Sequence, residues 1–235
     1  VFDPAALTAA MDGQGAVYCN LSVRQVSGEK GQQPEREGID NIITASHSAG
    51  IRRIACISSL VHRYEGMNGF HWWAFRIKHR GVKQIKGSGI PYSIFYPSTF
   101  METLDHQLLR GNKLVLTGKS KAPMWFIAAR DYAKLVVKAL HIAGNSNQEF
   151  VIQEAEPFTM EEAVIAFIKN YSKPVTIMKV PLGLLKCLGL FNWKMNYAAN
   201  ICEALNKHPE KFESETTWKK LGKPETTLEN YSASL

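Results

Sequence analysis

The side chains best suited to chemistry fall between Arg52 and Met101. Ser58 and Ser59 close the apolar run Ile54-Ala55-Cys56-Ile57, and Lys78 follows. Ser88-Gly89 then introduces a second run that ends on Tyr96-Pro97. Hydroxyls, an ammonium, and the titratable His62, Tyr64, His71 and His79 between them are the ingredients of proton transfer and of binding to hydroxyl-bearing ligands. A lysine on an amphipathic helix is ordinarily just solvated, and so is a lone histidine in a loop. The regular step from Lys78 to Ser88, Gly89 and the strand beyond favours a functional Lys78. Cys19, Cys56, Cys187 and Cys202 are scattered with no Cys-x-x-Cys pair, so no metal site is expected and the thiols read as buried and reduced.

These groups need a scaffold, and short apolar runs alternate with longer segments of 3.6-residue period, as in a parallel sheet covered by helices. Candidate strands are Ala16 to Cys19, Ile54 to Ile57, Tyr92 to Phe95, Lys113 to Leu116 and Phe150 to Ile152. Ile39, Ile42, Ile43 and Ala49 share a helical face that ends at Gly50, a C-cap glycine. Asp131 is placed as an N-cap ahead of a stripe at Ala133, Val136, Val137 and Leu140. Thr159 and Glu162 form a capping box. Ser22 to Glu35, rich in Gly, Gln, Lys and Glu, is expected to be a mobile loop. From about Pro174 the chain turns to interrupted helical segments, with Met195, Ala198, Ile201, Cys202 and Leu205 on one face.

The order of a strand ending in serine, a lysine on the next helix and a strand ending in proline resembles the catalytic half of an atypical short-chain dehydrogenase/reductase. The resemblance is to the NmrA-like or sugar-epimerase-like kind. It implies an α/β fold, a doubly wound Rossmann-type parallel sheet, with residues 1–173 binding NADP or NAD and 174–235 forming a small helical substrate-side lobe. It also implies that Lys78 holds the nicotinamide ribose, that Ser58 or Ser59 supplies the catalytic hydroxyl, and that Pro97, Ser98, Thr99 and Phe100 border the nicotinamide. Tyr96 stands where many relatives have arginine. Asp3, which is also an N-cap for the helix starting at Pro4, falls near the adenine; Asn20, Leu21 and Ser22 fall at the crevice end of a strand. Ala74 replaces the family's tyrosine, so the usual proton donor is gone; His62, Tyr64, His71 and His79 are the nearby side chains that could substitute.

A complete fold of this kind opens on a strand and a Gly-x-Gly-x-x-Gly turn that receives the pyrophosphate. The one early Gly-x-Gly, Gly13-Gln14-Gly15, precedes a strand instead. The sequence is therefore expected to lack an N-terminal segment, which would leave the Ala16 strand as a bare sheet edge and impair cofactor binding. The net charge of +7 is spread out, densest at Lys78, His79, Arg80, Lys83 and Lys86, so a dinucleotide suits it better than nucleic acid. No apolar run is long enough to span a bilayer and no basic-then-apolar leader opens the chain, so a cytoplasmic protein without a membrane partner is expected. The expected partners are a dinucleotide, a small carbonyl or sugar-nucleotide substrate, and a homodimer or protein partner. A non-enzymatic dinucleotide sensor is the rival to an oxidoreductase or epimerase homologue.

Overall fold

Consecutive apolar residues that are all buried need cover on both faces, and Ile54, Ala55 and Cys56 of the strand Arg53–Ile57 meet that condition. The computed structural model describes residues 1–235. Its helices are α1 (Pro4–Met11), α2 (Ile39–Ser48), α3 (Trp73–Gly87), α4 (Ala129–His141), α5 (Met160–Asn170), α6 (Leu182–Gly189), α7 (Trp193–Lys207), α8 (Glu215–Leu221) and α9 (Leu228–Ala233). The strands are β1 (Ala16–Cys19), β2 (Arg53–Ile57), β3 (Tyr92–Pro97), β4 (Thr99–Phe100), β5 (Leu109–Arg110), β6 (Lys113–Thr117), β7 (Met124–Ile127), β8 (Gln148–Ile152), β9 (Pro157–Phe158) and β10 (Thr176–Val180).

The main sheet runs β1-β2-β3-β8. β1, β2 and β3 are parallel, with Cys19 opposite Cys56 and Ile57 opposite Phe95. β1 stands at its edge. The strand expected at Lys113 to Leu116 forms, as β6, but belongs to a separate sheet, β10-β6-β5. A third small sheet, β4-β7-β9, is built on the buried run of β7.

The chain divides into two compact units, residues 1–96 with 138–150 and residues 97–137 with 151–235. In the first, Arg53 is buried without a carboxylate partner. Its guanidinium instead holds the carbonyls of Tyr92, Gly144 and Ser146 and the Ser93 hydroxyl at 2.8–3.0 Å, tying β2 to β3 and to the turn before β8. In the second, Leu104, Leu114, Phe126, Val164, Phe167 and Leu228 are among the buried residues of one apolar core.

Local signals mostly act as expected. Asp3 caps α1 by accepting from Ala6 N–H at 3.0 Å, with proline in the first turn. Gly50 follows α2 at a φ of 66°, which a side chain would strain. Thr159 and Glu162 form the reciprocal capping box of α5.

Three expectations are corrected. Asp131 is not an N-cap: α4 starts at Ala129, and the buried Asp131 carboxylate accepts from the Glu225 and Thr226 N–H groups at 2.8 and 2.7 Å. The buried stripe of α4 is Tyr132, Leu135, Val136 and Ala139, while Ala133 and Val137 of the expected stripe are exposed. On α7 the buried residues are Ala199 and Ala204, and Met195 is exposed, because small residues sit where the helix packs closely. Within the expected loop from Ser22 to Glu35, buried Gln33 donates to the Arg24 and Gly28 carbonyls and accepts from Arg24 N–H.

Candidate functional site

Because β1 and β2 are parallel, Asn20 and Leu21 after β1 and Ser58 after β2 emerge at the same, carboxyl end of the sheet, where open α/β sheets place their ligand crevice. α3 brings Lys78 to that end. Leu21, Ile57, Ser58 and Lys78 line one cavity of about 10 Å³, room for about one water. Asn20 and Ser22 are exposed beside it.

Lys78 is not part of a solvated basic face. Its ammonium is paired with Glu35, whose side chain is 8% exposed against 21% for the lysine. Glu35 reaches it because α3 runs very close to the turn before α2: a Cβ on Gly81 would lie 2.9 Å from the Glu35 carbonyl oxygen. Any side chain at Gly81 would push the two apart. Glu35 therefore accepts from the Lys78 ammonium, a contact that its loop composition did not signal.

Of the two serines, Ser58 lines this cavity, while the Ser59 hydroxyl is buried without a hydrogen-bond partner. Ser58 Oγ lies 3.2 Å from His62 Nδ1, which also meets the Ser59 carbonyl at 2.5 Å. A carbonyl only accepts, so Nδ1 carries the hydrogen and the Ser58 hydroxyl hydrogen is left to donate elsewhere. His62 is buried, contrary to the expectation of a solvated loop histidine. Burial pushes its pKa down to about 4, against the opposing pull of the Ser59 bond, so the ring is neutral near pH 7.

The His62 ring borders a second, larger cleft of about 450 Å³, with Arg63, His79, Lys83, Tyr96 and Glu149. Tyr96 is thus turned to this cleft, where its hydroxyl donates to Glu149 at 2.9 Å and its ring lies beneath the Arg63 guanidinium. Burial and the neighbouring carboxylate both raise the Tyr96 pKa, so it stays a phenol. His71 is exposed and paired with Glu65 at 2.9 Å. Ala74, Trp72 and Phe75 are buried, the last two edge to face at 4.9 Å, which makes them packing residues. Cys19 and Cys56 are buried thiols, the former pushed up to about 12, whereas Cys187 is exposed.

Pro97, Ser98, Thr99 and Phe100 belong to the second unit. Phe100 packs edge-on against Tyr132, and Thr99 meets Met124 Sδ at 3.7 Å. Ser98 Oγ lies 2.5 Å from the Trp125 carbonyl and 2.6 Å from Glu210 Oε2. One hydroxyl hydrogen serves only one acceptor, so a proton on Glu210 completes the set. Burial raises the Glu210 pKa in keeping with this, outweighing the bonds from Ser98, Trp125 and Gln153. With the folded value raised, the stabilisation is complete below the unfolded pKa and is lost as pH rises through the folded one. Urea midpoints measured from pH 5 to 8 should therefore show Glu210→Gln gaining on the parent as pH rises. Parallel curves would mean that Glu210 is ionised throughout.

Residues 1–142 match the family of NAD(P)H-binding domains. Among solved structures, the chain resembles a nucleoside-diphosphate-sugar epimerase from Staphylococcus aureus at 15% identity and a TM-score of 0.77, over 99% of this chain and 81% of that one. An NADPH-dependent quinone oxidoreductase from Escherichia coli, complexed with NADPH, matches at 22% identity and 0.74, over 99% and 80%. The triphenylmethane reductase of Citrobacter sp., complexed with NADP(H), matches at 16% and 0.72, over 99% and 81%. At these identities the likeness is one of fold. No helix is long and apolar enough to cross a membrane.

Proposed function

Since the chain belongs to the NAD(P)H-binding family, we propose that it serves as an NAD(P)-dependent oxidoreductase of the atypical short-chain dehydrogenase/reductase kind, acting on a small carbonyl or quinone-like substrate. The observation that supports this best is that Lys78 and Ser58 line one cavity at the carboxyl end of the parallel sheet. An ammonium and a free hydroxyl hydrogen suit the hydroxyls of a ribose and the carboxamide oxygen of a nicotinamide. Their donor chemistry fits the dinucleotide. The dinucleotide would supply the hydride, and Lys78 and Ser58 would hold its ribose and carboxamide.

A non-enzymatic NAD(P)H sensor is the second reading, supported by two observations. Ala74, one helical turn before Lys78, carries no group that can exchange a proton, and the Glu35–Lys78 pair offers a contact that a dinucleotide would have to break. Oxidation of NADPH and NADH with a panel of quinones and aldehydes separates the readings: turnover supports the enzyme, and binding without turnover supports the sensor.

The 235-residue chain by itself should hold the dinucleotide weakly, since its early Gly-x-Gly lies before β1 and no Gly-x-Gly-x-x-Gly turn follows β1 or β2 to cradle the phosphates. Calorimetric titration with NADPH and NADH is expected to give a Kd weaker than about 10 μM. Nanomolar binding would show that other backbone groups do the cradling.

A further inference from the structure

Eight of the sixteen exposed large apolar side chains lie between Ile177 and Met195. They belong to β10 and to the hairpin of α6 and α7, where Gly189 lets the helices meet: a Cβ there would lie 2.9 Å from Asn196 Cα. The most exposed are at the turn itself, Leu190 at 78% and Phe191 at 92%, with Leu184, Leu188, Trp193 and Met195 on the adjoining helices. Scattered apolar exposure is ordinary on a protein surface, but a concentration along one stretch of chain marks an interaction surface.

The charge of this region identifies the partner. From Ala163 to Cys202 there is no Asp or Glu, although the chain has 21 of them in 235 residues; the same stretch carries Lys169, Lys173, Lys179, Lys186 and Lys194. Lys194 lies over the Trp193 ring and Lys173 over the Tyr171 ring, rather than against carboxylates. Lys179 and Lys186 reach acids only outside the stretch, at Glu161 and Glu203.

We propose that the α6–α7 hairpin is a peripheral docking surface for an anionic lipid bilayer. Leu190 and Phe191 would enter the interface, Trp193 would lie at headgroup depth and the lysines would meet the lipid phosphates. A second copy of the chain fits less well, because a two-fold contact would bring Lys173 and Lys194 of both copies, neither set against a carboxylate, to one interface. This differs from the expectation that no membrane takes part, which rested on the lack of a spanning segment.

Sedimentation with vesicles tests it. The 235-residue chain should bind phosphatidylcholine vesicles containing phosphatidylglycerol and leave those of phosphatidylcholine alone, and binding should fall with salt. Leu190→Ser with Phe191→Ser, and separately Lys173→Glu with Lys194→Glu, should each weaken partitioning about tenfold or more. Circular dichroism should be unchanged in both, since the substituted side chains lie at the surface. The proposal is overturned if neutral and anionic vesicles bind equally or not at all. It is also overturned if sedimentation velocity shows a dimer that the Leu190→Ser/Phe191→Ser variant loses.

Discussion

Lys78→Met should destabilise the protein by about 3 kcal/mol, since removing one member of a buried ion pair strands the other. Glu35 has little access to water, and its carboxylate pairs with the Lys78 ammonium across the contact fixed by Gly81. Removing both charges, as in Glu35→Gln/Lys78→Met, should recover most of that loss, because no unpaired charge is then left buried. Urea unfolding of the four members of this cycle measures the coupling. Binding should move differently from stability. If Glu35 holds Lys78 away from a ribose, Glu35→Gln frees the ammonium and tightens NADPH binding several-fold, while Lys78→Met weakens it in either background. A Lys78→Met variant as stable as the parent would show the pair to be solvated, and unchanged affinity on Glu35→Gln would remove Glu35 as a competitor.

That pair also marks where sequence reasoning runs out. β1, β2, β3 and β8 are legible because successive apolar residues such as Ile54-Ala55-Cys56-Ile57 fit a doubly covered strand and little else. Caps are legible for the same local reason: Asp3, Gly50 and the Thr159–Glu162 box each act within one turn of their own helix. Ser58 and Lys78 are brought to one cavity by strand direction and helix register, both of which the spacing carries. Glu35 is another matter. It lies far from Lys78 in sequence, in a stretch whose Gly, Gln and Lys content reads as loose loop, and only the close approach at Gly81 brings the two together.

β7 and β10 were missed from opposite directions. The apolar run Met124-Trp125-Phe126-Ile127 was available as a signal, being bounded by Pro123. Thr176–Val180 gives almost none: four of its five residues are exposed, so no burial pattern is imprinted on it. Asp131 shows a third kind of failure. An aspartate ahead of an amphipathic segment reads as a cap, yet its acceptors serve two distant backbone groups, a tertiary demand with no local signature.

Turnover of simple ketones and aldehydes should be slow, on the order of a hundred- to ten-thousand-fold below what a positioned acid would allow. Hydride addition to a carbonyl leaves an alkoxide that needs a proton, and the methyl group of Ala74 has none to give. A quinone yields a hydroquinone anion, a much weaker base that bulk water can protonate, so quinones should be the least impaired members of a substrate panel. His62 is poorly placed to make up the loss. Its pKa of about 4 leaves it uncharged near pH 7, and its one N–H is engaged by the Ser59 carbonyl. Were it the acid, turnover would climb as pH falls towards about 4 and His62→Gln would abolish the climb. A flat profile that His62→Gln leaves unchanged is the expected result. Ala74→Tyr places a phenol one helical turn before Lys78 and should raise ketone turnover, but the site is buried beside Trp72 and Phe75, and forcing a ring into it should cost about 1–3 kcal/mol of stability. Brisk ketone reduction by the unmodified chain would show that another group already delivers the proton, and Ser58, the one hydroxyl lining the Lys78 cavity, would be the first to replace.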